Sequence, residues 1–265
     1  MKMTIIRIGL ASIVIVLGLE GSGQAQPRCE DAPRMEALEK VLREGQIIGV
    51  EKEKLGGRTG PWLITLEAGP IKQRAIFRYV DRLRPHPTPD SYKYDLAAYI
   101  LNRLLGIELV PPVIEREVEG RQGSLQVFLE NCIREKDRKR KKLMPPDARA
   151  FSRALEEVRV FENLTYDECQ DADDLYVHLN DWKVCRVDFS EAFAPVPELL
   201  PSCEITVCSR ALYQGLLQWD KEAVKSKLGP YLNDKEIGAF FVRRDLIIEK
   251  LRALIAEKGE DSVLF

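Results

Sequence analysis

Between Tyr166 and Phe193 the chain gathers carboxylates at close intervals: Asp167, Glu168, Asp171, Asp173, Asp174, Asp181, Asp188 and Glu191. Two runs inside this stretch, Leu175 to Leu179 and Trp182 to Val187, read as strands. Asn180-Asp181 between them is a two-residue connection of the type I′ kind, because both residue types tolerate positive φ. A bend centred there sets Asp173 opposite Asp188 and Asp174 opposite Val187, so three carboxylates are expected at the open end of one hairpin. Like charges that close repel. A hard divalent cation such as Mg²⁺ relieves the repulsion, held by one or two carboxylates together with phosphate oxygens. The alternative reading is a set of loop aspartates that face water.

The elements that must carry this hairpin are legible on either side. Arg34 to Glu44 reads as a short helix, followed by strands over Gln46 to Lys52, Trp62 to Glu67 and Arg74 to Val80. The first two strands are joined by the glycine-containing turn Leu55 to Pro61. After a loop with Pro85, Pro87 and Pro89, a helix is expected from Ser91 to Leu105. Ala97, Ile100, Leu101 and Leu104 share one face of it, and Gly106 is placed to end it. Strands follow over Val113 to Val118 and Ser124 to Glu130. The basic run Arg134 to Lys142 reads as a solvated loop between two lobes, with an anion or membrane-surface contact as the sharper alternative. Pro146 and Asp147 open a helix to about Asn163. From Val207 the chain is helical, and its aromatic and leucine-rich stretches, Leu212 to Trp219 and Phe240 to Leu254, are assigned to the core. Strands and a helix first, then mostly helices, make an α+β chain of two unequal halves.

The N-terminus bears on compartment. Lys2 and Arg7 precede an apolar run from Ile8 to Leu19, and Gly23 and Ala25 fit the −3 and −1 positions of a cleaved export signal ending at residue 25. The run is shorter than the roughly 20 residues a membrane span needs, although an uncleaved anchor is the alternative. Cys29 lacks the small apolar residues that precede a lipidated cysteine. An exported protein, periplasmic or extracellular, with no stable membrane span after cleavage, is the expectation. The formal net charge of −2 in 265 residues becomes −3 once Lys2, Arg7 and Glu20 are removed, and it gives no electrostatic case for nucleic acid. Six cysteines in an oxidising compartment favour disulfides, with about 15 pairings open. Only His86 and His178 are available and no CxxC repeats, which argues against zinc. The sequon Asn163-Leu164-Thr165 is discounted as a short motif that recurs by chance.

Four segments carry a likeness: Ala75-Ile76-Phe77-Arg78; Tyr94 to Tyr99 with Leu104-Leu105-Gly106 and Val110-Pro111-Pro112; Gly120 to Gln126; and Val187-Asp188-Phe189-Ser190-Glu191-Ala192-Phe193. In order and spacing the mature chain resembles the bacterial relatives of the atypical kinases. That group includes phosphatidylinositol 3- and 4-kinase-like proteins, HipA-type kinases and the secretory-pathway kinases of animals. The resemblance implies a two-lobed protein-kinase-like fold. A small β-rich N-lobe would span residues 26–131, and a mostly helical C-lobe residues 132–265 with its hairpin at 175–187.

It also implies roles. The third strand of such a fold ends in a lysine that holds the nucleotide phosphates, and a glutamate of the next helix pairs with it. The matching residues here are Arg78 and Asp95, and Ile76 joins them as a nucleotide-site position. The family's catalytic loop, Asn-x-Asp-Arg-His-x-x-Asn, puts Asp167 at the first Asn, Cys169 at the catalytic Asp, Gln170 at the Arg and Asp174 at the metal-binding Asn. Asp188 matches the second metal ligand. With cysteine at the catalytic position, Asp167, Glu168 or Asp171 would have to substitute. The implied protein is an exported pseudokinase or strongly atypical kinase that binds Mg²⁺ with ATP or another nucleotide and works with an exported protein partner. An active phosphotransferase on an exported protein, sugar or lipid is one alternative, and a non-catalytic, disulfide-stapled envelope protein is the other.

Overall fold

The computed structural model describes residues 32–84, 86, 89–167 and 170–265. The expected export signal over residues 1–25, and Glu168 and Cys169 of the expected catalytic loop, lie outside the described residues. The elements run α1 (Ala32–Glu44), β1 (Gln46–Glu51), β2 (Trp62–Ala68), β3 (Ile71–Arg78), β4 (Asp81–Arg82), β5 (Asp90–Ser91), α2 (Tyr92–Leu105), β6 (Val113–Val118) and β7 (Arg121–Val127). The second half continues with β8 (Cys132–Arg134), α3 (Glu135–Arg140), α4 (Ala148–Thr165), β9 (Leu175–His178), β10 (Val184–Arg186), α5 (Arg210–Gln218), α6 (Lys221–Leu228), α7 (Asp234–Lys258) and α8 (Glu260–Val263).

The first half is an antiparallel sheet of order β1-β2-β3-β7-β6. Period two divides its side chains between two faces. Trp62, Ile64, Leu66, Ala75, Phe77, Leu125 and Val127 form one core with Leu38, Val41 and Leu42 of α1. The alternate positions Ile76, Arg78, Ser124 and Gln126 therefore face the other way, where α2 lies. Gly123 is required between the two: a Cβ there would sit 2.2 Å from the Arg78 carbonyl and 2.7 Å from the Phe77 ring.

α2 is set by its ends. The Ser91 hydroxyl accepts from Lys93 N at 3.2 Å, and Gly106 closes the helix in the left-handed region at φ 65°. Buried Asn102 then accepts from Leu109 N and Val110 N, both at 2.9 Å, which fixes the exit into β6. The larger core joins α2 to Phe161, Leu164, Leu175, Val177, Phe189, Phe193, Leu212, Phe240 and Leu251. The C-terminal aromatic and leucine-rich stretches thus pack where the sequence assigns them. Asn163 is fully buried, with its amide between the Arg159 and Cys203 carbonyls and the Leu200 N–H. A glycan on Asn163 is incompatible with this packing.

The hairpin holds Val184 opposite Val177, Cys185 opposite Tyr176 and Arg186 opposite Leu175, the register that a bend centred on residues 180 and 181 requires. The turn itself differs from expectation. Positive φ falls on Trp182, at 60°, rather than on Asn180 or Asp181. Asp181 accepts from Lys183 N at 3.1 Å and sits 2.9 Å from His178 Nδ1. The loop is therefore longer but symmetrical about the same centre, and the register survives. The basic run is a second correction: its first residue closes β8, a third strand paired to β9, and the next six form α3. Glu135 and Asp137 explain this. They pair with Arg138, Lys139, Arg134 and Arg140 at three- and four-residue spacings, turning a run of like charges into a helix turn.

Candidate functional site

The sheet, α2 and the open end of the hairpin meet at a cleft of about 480 Å³ lined by Arg58, Asp90, Tyr166, Asp167, Asp171, Asp174, Arg186, Asp188 and Glu191, among others. β3 delivers Arg78 to its edge. The guanidinium, 10 % exposed, lies 3.6 Å from Asp95 of α2 and 3.5 Å from Asp188, and donates to Gln126 Oε1 at 3.2 Å. Asp95 is wholly buried, accepting from Ser124 Oγ at 3.1 Å and from Phe189 N at 2.9 Å. Asp188 has positive φ, 60°, which aspartate tolerates better than most residues, and its carboxylate accepts from Ser190 Oγ at 2.8 Å.

Beneath this group lies a second arginine that sequence reasoning missed. Arg186 of β10 is 1 % exposed. Its Nη2 donates to Asp167 at 2.7 Å, its Nε to Glu162 at 3.2 Å, and its Nη1 lies 3.5 Å from Asp174. Nη1 also donates to the Val187 carbonyl, and the guanidinium lies over the Phe189 ring at 5.1 Å. The signal was present: Arg186 is a lone charge in the apolar run Val184 to Val187. Glu162 likewise falls on the buried stripe of α4 with Val158 and Thr165, four before and three after it.

These placements separate the acidic residues electrostatically. Burial pushes the Asp174 carboxyl up to about 7; Arg186 opposes the shift, while Asp188, Asp171 and Asp167 add to it. Burial likewise takes Glu162 up to about 8 against Arg186. Asp95 is also raised, by its burial first and against Arg78. At Asp188 burial is outweighed by Arg78 and the Ser190 hydrogen bonds, and the carboxyl is held below the usual range. Arg78 itself is raised, since Asp188, Asp95 and Asp174 together overcome its burial.

Of the residues singled out in the sequence, Asp167, Asp171, Asp174 and Asp188 line the cleft. Arg78 and Asp95 reach it through Asp188. Ile76 shares Arg78's face of β3 but is not among the residues lining the cleft. Asp173 corrects the expected three-carboxylate cluster: it lies in the turn that precedes β9, where Asp174 N and Leu175 N both bond back to the Asp171 carbonyl, and it turns outward to Lys136 at 3.1 Å and Arg134 at 3.6 Å. Among the described residues no group of three or more His, Cys, Asp or Glu is arranged to hold a metal. The donor chemistry of Asp174 and Asp188 nonetheless fits one hard divalent cation. Both present carboxylate oxygens to the same cleft, and Mg²⁺ commonly takes one or two protein carboxylates and fills its shell with water and phosphate oxygens.

Fam20 of hydra, solved with a sugar, superposes with a TM-score of 0.63 at 14 % identity, covering 89 % of this chain and 93 % of that one. The Helicobacter pylori proinflammatory kinase CtkA superposes with a TM-score of 0.46 at 10 % identity, covering 80 % of this chain and 95 % of its own. No protein-family model and no curated protein matches the sequence. The likeness establishes a kinase-like fold, with an antiparallel-sheet N-terminal part and a helical C-terminal part. No helix among the described residues is long and apolar enough to cross a membrane.

Proposed function

We propose that the protein is an exported, kinase-fold binding protein that takes a nucleotide together with Mg²⁺ in this cleft and does not carry out ordinary phosphotransfer. The observation that carries the reading is the pair of arginine cages. Arg78 is engaged by Asp95 and Asp188, and Arg186 by Glu162, Asp167 and Asp174. Arg78 stands where the resembled family has a phosphate-holding lysine, and its planar fork is committed to carboxylates. Asp167 could replace the aspartate missing at Cys169 only by leaving a buried guanidinium 2.7 Å away. Asp174 and Asp188 are the residues that would hold Mg²⁺, which supplies the positive charge a polyphosphate needs here. Among the described residues, six acidic ones line the cleft (Asp90, Asp167, Asp171, Asp174, Asp188 and Glu191) against Arg58 and Arg186. A free nucleotide is therefore repelled, and binding requires the cation. Export and disulfides belong to the same reading, supported by the N-terminal signal pattern and by the six cysteines of the chain. An exported protein partner completes it.

The test is a melting curve with Mg²⁺ and nucleotide added separately and together. The reading expects a rise only with both, and loss of that rise in Asp188→Ala. A melting temperature unmoved by every Mg²⁺–nucleotide pair would leave only a nucleotide-free scaffold. One observation favours an active enzyme as second reading. Asp171, one of the residues able to stand in for the missing catalytic aspartate, lines the cleft. Transfer of label from γ-labelled ATP to an exported protein, sugar or lipid, abolished by Asp188→Ala, would establish that alternative.

A further inference from the structure

The loop between β1 and β2 crosses the mouth of the cleft, with Gly57, Arg58, Thr59 and Pro61 among the lining residues. Gly56, Gly57 and Gly60 around Arg58 all have positive φ, 66°, 93° and 60°. Glycine adopts that backbone region at no steric cost, so the loop tip is bounded by residues able to change conformation. Arg58 is 62 % exposed, and its Nη2 donates to Asp90 at 3.0 Å and to Glu191. Asp90 lies at the entrance to α2, and Glu191 lies three residues beyond Asp188. One exposed guanidinium therefore ties the loop to both walls.

We infer that Arg58 is a latch across the cleft that exchanges Glu191 for the phosphate groups of the ligand. The exchange leaves no buried charge behind. Asp90, 5 % exposed, keeps Arg82 at 3.3 Å when Arg58 leaves, and Glu191, 53 % exposed, returns to water. Exposed ion pairs are weak, whereas a guanidinium on phosphate gains two parallel charge-assisted hydrogen bonds. Arg58 is also the cation of the cleft whose release is cheapest, since Arg186 is locked among three carboxylates. The loop thus closes the empty cleft against Glu191 and the filled cleft against phosphate. The identity of the phosphate donor rests on the nucleotide reading above; the latch does not.

Hydrogen–deuterium exchange of residues 55–61 tests both halves, comparing the unaltered protein with Glu191→Gln and Arg58→Gln, with and without Mg²⁺–tripolyphosphate. Both side chains are exposed, so folding is not at stake. The expected result is exchange at least threefold faster in each variant without ligand. Tripolyphosphate should then restore protection in Glu191→Gln and not in Arg58→Gln. Unchanged exchange in either variant overturns the latch, and protection of Arg58→Gln by tripolyphosphate overturns the exchange of partners. If the loop behaves as expected with tripolyphosphate but Mg²⁺–ATP gives no protection, the latch stands and the nucleotide reading falls.

Discussion

The two arginine cages use the same residue types and reach opposite electrostatic results. Around Arg78 there are two carboxylates, and the one facing the cleft, Asp188, is held ionised below its usual range. Around Arg186 there are three in a drier place, and the one facing the cleft, Asp174, is pushed up to about 7. Arg78 holds Asp188 down but leaves buried Asp95 raised, whereas Arg186, shared among more carboxylates, leaves both Glu162 and Asp174 raised. The surroundings of the two cleft-facing carboxylates, more than their identity, decide which is held ionised and which is pushed toward its protonated form.

Removing the central cation of each cage breaks the comparison most directly. Arg186→Met leaves three carboxylates in the interior and is expected to cost about 3–5 kcal/mol in urea denaturation. Arg78→Met should cost less, about 1–3 kcal/mol, because Asp95 keeps its hydrogen bonds from Ser124 and Phe189. An Arg78 cost equal to that of Arg186 would show that the cages are equivalent after all.

Saturating Mg²⁺–nucleotide sharpens it next. At about 100 times the dissociation constant it should stabilise the protein by about 2.7 kcal/mol, and Asp174→Asn should lose most of that gain. The same binding should weaken as pH falls below 7, where Asp174 takes up its proton.

The pH dependence of stability separates the cages by sign. Glu162 and Asp174 have folded values above their unfolded ones, so between about pH 4 and 8 the folded state binds more protons, and stability declines as pH rises. Glu162→Gln should flatten that decline in urea midpoints measured from pH 5 to 8. Asp188 acts the other way: its contribution is present above its ordinary value of 3.8 and is lost as acid protonates it, a loss that Asp188→Asn should remove. The smallest effect expected is at Asp173→Asn, within about 0.5 kcal/mol, since its partners are exposed.

What the sequence revealed follows from which forces are local. The hairpin register was legible because Asn180-Asp181 lies at the centre of two apolar runs, and α2 because Ser91 and Gly106 mark its ends. The turn type was not, since Asp181 caps a longer loop through Lys183 and His178, contacts that its pattern does not encode. Asp173 and Asp174 looked equivalent in one dimension, and it is the turn closed on the Asp171 carbonyl that sends one to α3 and the other to the cleft. Arg186 and Glu162 were hidden for another reason. A buried charge reads as noise in an apolar stripe until its partners, 24 residues apart in this case, are brought together by the fold.

The hydrogen bond from Phe189 N to Asp95 gives the molecule a pivot. It ties α2 to the residue after Asp188, so an outward swing of the helix would pull on the segment that carries Asp188. Displacing that helix would therefore disturb one wall of the cleft as well.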